Sequence, residues 1–137
     1  MHQPSLHQLL GVERKLRAGG PGNGLEVYDF FAGAGGFSQG SAQAGCRVVC
    51  ALDNDPVALK THAQNHPHTD HRCVELPLRA DALPFPTDGR RFHVHLSPPC
   101  QHFSTQNTKG RKAGDRTHAE DLVTWSLDTA LTSRATC

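Results

Sequence analysis

The tightest constraint on this chain is an apolar stretch that runs straight into glycines, Val27-Tyr28-Asp29-Phe30-Phe31 and then Ala32-Gly33-Ala34-Gly35-Gly36-Phe37. The first part reads as a strand. The glycines then let the backbone turn tightly and come close to a ligand, with the N–H groups of a following helix aimed at it. A second exit of this kind lies downstream, where Phe92-His93-Val94-His95-Leu96-Ser97 meets Pro98-Pro99-Cys100-Gln101-His102-Phe103-Ser104. Proline fixes its own φ, lacks an N–H and pushes the preceding residue out of the helical region, so this strand stops and the Cys100 thiol sits at a rigid exit. Carboxyl ends of strands are where open α/β sheets place their chemistry. The plain alternatives are a tight turn with no ligand and a small buried cysteine closing a strand.

Between these exits the pattern alternates. Leu25–Phe31 is predicted as a strand, Gly36–Ala44 as a helix closed by Gly45, and Arg47–Leu52 as a second strand. Pro56–Asn65 follows as a helix with proline in its first turn, Cys73–Leu76 as a weaker third strand and Phe92–Leu96 as a fourth. Thr117–Leu131 reads as a last helix with Leu122, Val123, Leu127 and Leu131 on its apolar side and Trp125 in the core. Strands alternating with helices of this length predict an α/β fold with a parallel sheet. Residues 1–24 are expected to be a flexible leader, because Gly19-Gly20-Pro21-Gly22-Asn23-Gly24 separates them from this pattern. Residues 25–137 then form one domain.

Composition narrows the function classes. The chain has 137 residues, 14 Lys+Arg against 13 Asp+Glu, so a nucleic-acid partner would have to be met by a local patch. Lys109-Gly110-Arg111-Lys112-Ala113-Gly114-Asp115-Arg116 is the densest basic stretch, either a phosphate contact or a solvated loop. No apolar run approaches the ~20 residues that span a bilayer, and with five scattered cysteines the chain reads as cytoplasmic with reduced thiols. Cys46-x3-Cys50 and His62-x3-His66 approach a zinc-finger spacing and leave a zinc-dependent nucleic-acid-binding module as an alternative. The histidine tract from His62 to His71 is expected to be a polar helix end and loop; no metal ligand is assigned.

Two carboxylates complete the candidate site. Asp53 follows the second strand roughly 20 residues after the glycine loop, where a carboxylate can accept both hydroxyls of a ribose; a solvated turn is the other reading. Asp81 follows the third strand and is placed to accept from an exocyclic amine or to sit in plain loop.

Asp29-Phe30-Phe31-Ala32-Gly33-Ala34-Gly35-Gly36-Phe37, followed in order by Pro98-Pro99-Cys100-Gln101-His102-Phe103-Ser104, resembles the first and fourth motifs of the DNA cytosine-5 methyltransferases. The resemblance spans about residues 26 to 125. It implies a partial doubly wound, Rossmann-like methyltransferase sheet, S-adenosylmethionine as cofactor and double-stranded DNA as partner. By position, Phe31 would lie against the adenine, with Ala32, Gly33, Ala34 and Gly36 approaching the methionine part. Asp53 would hold the ribose, Asn54 would stand where the family often has an adenine-stacking aromatic, Asp81 and Ala82 would meet the adenine amine, and Pro99 would lie beside the sulfonium. Cys100 would be the catalytic nucleophile that adds to carbon 6 of a flipped cytosine. Gln101, Ser104, Lys109 and Arg111 would contact DNA.

The resemblance also implies parts that these residues do not contain. There is no Glu-Asn-Val segment, no Gln-x-Arg-x-Arg segment and no recognition region. The chain is therefore expected to be the amino-terminal third of such an enzyme, its sheet truncated after about four strands, and inactive alone unless a complementing chain supplies the rest. A restriction-modification role fits this family, and a non-catalytic cofactor-binding or split-subunit fragment is the alternative.

Overall fold

The computed structural model describes residues 24–99 and 113–133. Four parallel strands form one sheet in the order β3-β2-β1-β4, namely β1 (Glu26–Phe30), β2 (Arg47–Asp53), β3 (Asp70–Cys73) and β4 (Phe92–Leu96). Three helices accompany them: α1 (Gly36–Gln43), α2 (Pro56–Asn65) and α3 (Ala113–Thr132). The chain thus has the α/β architecture with a parallel, Rossmann-like sheet expected from the sequence, and residues 1–23 of the expected leader, the 100–112 segment and residues 134–137 lie outside the described residues.

Strand β1 is central, and all five of its residues are buried. Its alternate side chains therefore feed two cores. Tyr28 and Phe30 join Cys50, Leu52, Leu76, Phe92 and Leu122 in one cluster, with Phe85 and Trp125 packed against it. Asp29 and its neighbour Ala51 point to the opposite face, where Ser38 of α1 and Leu59 and His62 of α2 are buried. Helix α2 starts where Asp55 accepts from the Val57 and Ala58 N–H groups at 2.8 and 3.3 Å, with Pro56 at its first position.

Two sequence expectations change. The third strand is Asp70–Cys73 rather than Cys73–Leu76. It is an edge strand whose residues are mostly exposed, so it carries no apolar alternation, and beside the backbone ladder it meets β2 through Cys50 Sγ, which lies 4.0 Å from Asp70 Oδ2. Of the apolar residues after it, Val74 still donates its N–H to Asp53 O at 2.9 Å, a last backbone bond to β2, and Leu76 then turns into the core at 5 % exposure.

Helix α3 starts at Ala113 rather than Thr117, and its buried side is not the expected one. Leu122 is buried, but Leu127 and Leu131 are 62 % and 86 % exposed. The buried stripe is Ala119, Leu122, Ser126 and Thr129. Small hydroxyl residues can face a core when the helix itself satisfies them, and Ser126 Oγ donates to Leu122 O at 2.8 Å. Trp125 packs on Phe30, with ring centroids 6.2 Å apart, and its Nε1 donates to Leu78 O at 3.0 Å, a core position as expected.

Candidate active site

The glycine loop leaves the carboxyl end of β1 through a strained backbone. Phe31 has φ 59, in the left-handed region that side chains with a Cβ avoid, and it turns its ring edge-on to Trp125 at 6.4 Å. Gly35 follows with φ 97 and caps α1. A Cβ on Gly35 would stand 2.9 Å from His62 Cδ2, so this position needs glycine for space as well as for conformation.

Asp53 is the clamp of this loop. Its Oδ2 accepts from Gly33 N at 2.8 Å and its Oδ1 from Asp55 N at 2.8 Å. One carboxylate therefore ties the glycine loop to the start of α2. Each oxygen keeps a lone pair for a further donor.

A cleft of about 230 Å³ opens beside these residues, lined by Phe31, Asn54, Glu75, Leu76, Pro99 and Leu122 among others. Three of the residues singled out from sequence, Phe31, Asn54 and Pro99, meet there from the ends of three strands. Asp81 does not. It sits in a 3-10 turn, Ala80–Ala82, 68 % exposed and paired with Arg79 at 3.0 Å, and neither it nor Ala82 lines the cleft. Glu75 does line it. The sequence signal for Glu75 is its place two residues past the third strand, hidden where that strand is expected at Cys73–Leu76 and so includes Glu75. Cys100, Gln101, Ser104, Lys109 and Arg111 lie outside the described residues.

Behind the loop the second core is polar, which the sequence did not foretell. His62 stands in the last turn of α2, at the expected helix end, but is fully buried. Its Nε2 lies 3.0 Å from Ser38 Oγ and its Nδ1 2.8 Å from His71 Nε2, and Ser38 Oγ donates to Asp29 Oδ2 at 2.7 Å. The other Asp29 oxygen meets His95 Nδ1 at 2.9 Å, and Phe37 stacks on the His95 ring at 3.6 Å. Burial, then the neighbouring His66 and His71, push the His62 pKa down to about 4. His62 and His71 are bonded to each other and His95 to Asp29, while Cys50 belongs to the opposite face. Among the described residues no group of three or more His, Cys, Asp or Glu side chains is placed to hold a metal ion, so the finger-like spacing gathers no such group.

The Cys50 thiol on the apolar face is inert by environment. Burial pushes Cys50 up to about 12, far from the range in which a thiolate forms at neutral pH. Among the described residues no helix is long and apolar enough to cross a membrane.

Known proteins align with this arrangement. A family model described as C-5 cytosine-specific DNA methylase matches residues 25–124. The Type II methyltransferase M.HgiGI of Herpetosiphon aurantiacus is 32% identical over 99 residues, covering 72% of this chain and 78% of that protein. M.HgiDI of the same organism is 33% identical over 90 residues, 66% of this chain and 29% of the relative. M.XorII of Xanthomonas oryzae pv. oryzae is 51% identical over 80 residues, 56% of this chain and 19% of the relative. The chain therefore spans less than a third of the length of the last two. The family match covers both β1 with its glycine loop and the Pro98-Pro99-Cys100 exit, and on that match this chain belongs to the C-5 cytosine-specific DNA methylase family.

Proposed function

We propose that this chain carries the cofactor-binding and nucleophile-bearing part of a DNA cytosine-5 methyltransferase that uses S-adenosylmethionine. The observation that carries the reading is the meeting of Phe31, Asn54, Glu75 and Pro99 in one cleft at the carboxyl end of the sheet. The lining fits an adenine: an aromatic ring and apolar side chains for its faces, an amide and a carboxylate for its edge. At about 230 Å³ the cleft is smaller than the roughly 300–1,000 Å³ of whole-ligand pockets, so it suits the adenine end, with the methionine end toward Ala32, Gly33, Ala34 and Gly36.

S-adenosylmethionine supplies an electrophilic methyl group. The chain's residues supply the cofactor contacts, the nucleophile and contacts to DNA. Asp53 has lone pairs left for ribose hydroxyls, and Glu75, rather than the exposed Asp81, accepts from the adenine amine. Pro98 and Pro99 fix the approach to Cys100. The Cys100 thiolate bonds to carbon 6 of a flipped-out cytosine, which makes carbon 5 nucleophilic. After carbon 5 has been methylated and has lost its proton, elimination breaks the sulfur–carbon bond and frees the thiolate. Gln101, Ser104, Lys109 and Arg111 contact the DNA, and the acid that protonates the cytosine ring comes from a segment these 137 residues do not contain, in the same or a complementing chain.

Calorimetric titration of the 137-residue chain with S-adenosylmethionine tests the first half. Saturable binding that Phe31→Ala weakens about tenfold is expected. A folded chain that binds nothing overturns the reading. The second half is tested on DNA carrying 5-fluorocytosine with the missing segments restored: Cys100→Ser should abolish covalent capture, and Cys46→Ser and Cys73→Ser should leave it intact. Capture that survives Cys100→Ser removes the nucleophile assignment.

A further inference from the structure

Under the glycine loop runs an unbroken series of polar contacts, His95–Asp29–Ser38–His62–His71, crossing from β4 through β1, α1 and α2 to β3. Its direction follows from counting protons. The Asp29 carboxylate only accepts, and Ser38 spends its single hydroxyl proton on Asp29 Oδ2 at 2.7 Å. Ser38 Oγ, 3.0 Å from His62 Nε2, must then accept, so His62 carries its proton on Nε2. Its Nδ1 is left as an acceptor, and His71 Nε2 at 2.8 Å must be the donor. Every hydrogen in the series is thus set by Asp29.

We propose that His62 is a positioning residue for the glycine loop: its neutral Nε2–H tautomer anchors Ser38 and backs Gly35, and uptake of a second proton releases the loop. A proton added at Nδ1 would face the His71 Nε2–H, donor against donor, in a site with no exposed surface for His62. The groups facing His62 are Asp29 from β1, reached through Ser38 of α1, His66 at the C-cap of its own helix and His71 on β3, with His95 of β4 on the far oxygen of Asp29. The loop contact is close, since His62 Cδ2 occupies the space a Gly35 Cβ would need. Burial of His62 lowers its pKa to about 4. The folded state therefore binds the proton more weakly than the unfolded chain, whose histidine titrates near 6.5. The stability His62 confers is full above about pH 6.5 and is lost as pH falls toward 4.

Neither readout of the test uses the cofactor, so its result is independent of the proposed methyltransferase activity. In the ¹⁵N-labelled 137-residue chain at pH 7.5, two-bond proton–nitrogen correlation should show His62 protonated at Nε2. In Asp29→Asn the new amide can donate to Ser38, which reverses the series and moves the His62 proton to Nδ1. Wild-type His62 protonated at Nδ1, or an unchanged tautomer in a folded Asp29→Asn, overturns the proposal. Urea unfolding gives the second readout. Between pH 7.5 and 5.5 the wild-type folding constant should fall about tenfold more than that of His62→Gln, which keeps a donor and an acceptor but cannot titrate. The Gly33 and Gly35 amide signals should shift with His62 in the wild type only. Equal pH responses in the two proteins would equally sink the proposal.

Discussion

On one face of the sheet Tyr28, Phe30, Cys50, Leu52 and Phe92 pack against Phe85 and Trp125; on the other, Asp29 and Ala51 meet Ser38, Leu59 and His62. The first face is held by apolar burial and ring contacts, such as Phe30 stacked on Phe85 at 5.7 Å. These forces are large and largely non-directional. The second is held by a few hydrogen bonds whose donors and acceptors must match. It lies directly beneath the glycine loop. The difference teaches that one face holds the chain by the amount of apolar surface it buries, while the other, through matched hydrogen bonds, also fixes where the loop stands.

Three measurements can break or sharpen this contrast. Phe30 is fully buried at the centre of the apolar face, and Phe30→Ala should cost about 3–5 kcal/mol in urea unfolding. A loss below about 1 kcal/mol would mean that the aromatic cluster is not the main store of stability.

Asp53 stands at the end of β2, where the loop and the cleft meet. Asp53→Ala removes both backbone clamps, and calorimetric affinity for S-adenosylmethionine should fall about 10–100-fold. Asp70→Ala, which loses an exposed pair with Arg72, should change it little. Equal affinities in the two variants would take Asp53 out of the site.

The finest test compares two truncations of nearly the same shape. Cys50→Ala on the apolar face removes one buried sulfur and should cost about 1 kcal/mol. Ser38→Ala removes a similar volume but leaves His62 and Asp29 each short of a partner, and should cost about 1–3 kcal/mol. The expected gap is about 1 kcal/mol, read by thermal or urea unfolding. If Ser38→Ala proved the milder change, the polar face would not depend on matched hydrogen bonds.

Much of the architecture was legible because backbone chemistry wrote it. The Pro56–Asn65 helix and the Phe92–Leu96 strand have their predicted bounds, one set by an Asp-Pro start and the other by a proline pair after an apolar run. Legibility ended where burial stopped tracking apolarity. The edge strand Asp70–Cys73 is polar and lies three residues before its expected place, and Glu75, expected inside the strand, instead follows it into the cleft. In α3 the buried Ser126 and Thr129 took positions that Leu127 and Leu131 were expected to fill.

By itself the sequence determined the order of strands and helices, the glycine loop and the proline-bounded cysteine, because φ restrictions and periodicity act within a few neighbouring residues. Only the tertiary structure decided that Asp53 clamps Gly33, that Glu75 rather than Asp81 reaches the cleft, and that a histidine from the polar tract closes the space behind Gly35. Those facts depend on which residues 20 or more positions apart meet when the sheet is assembled. No local rule of propensity or spacing contains that information.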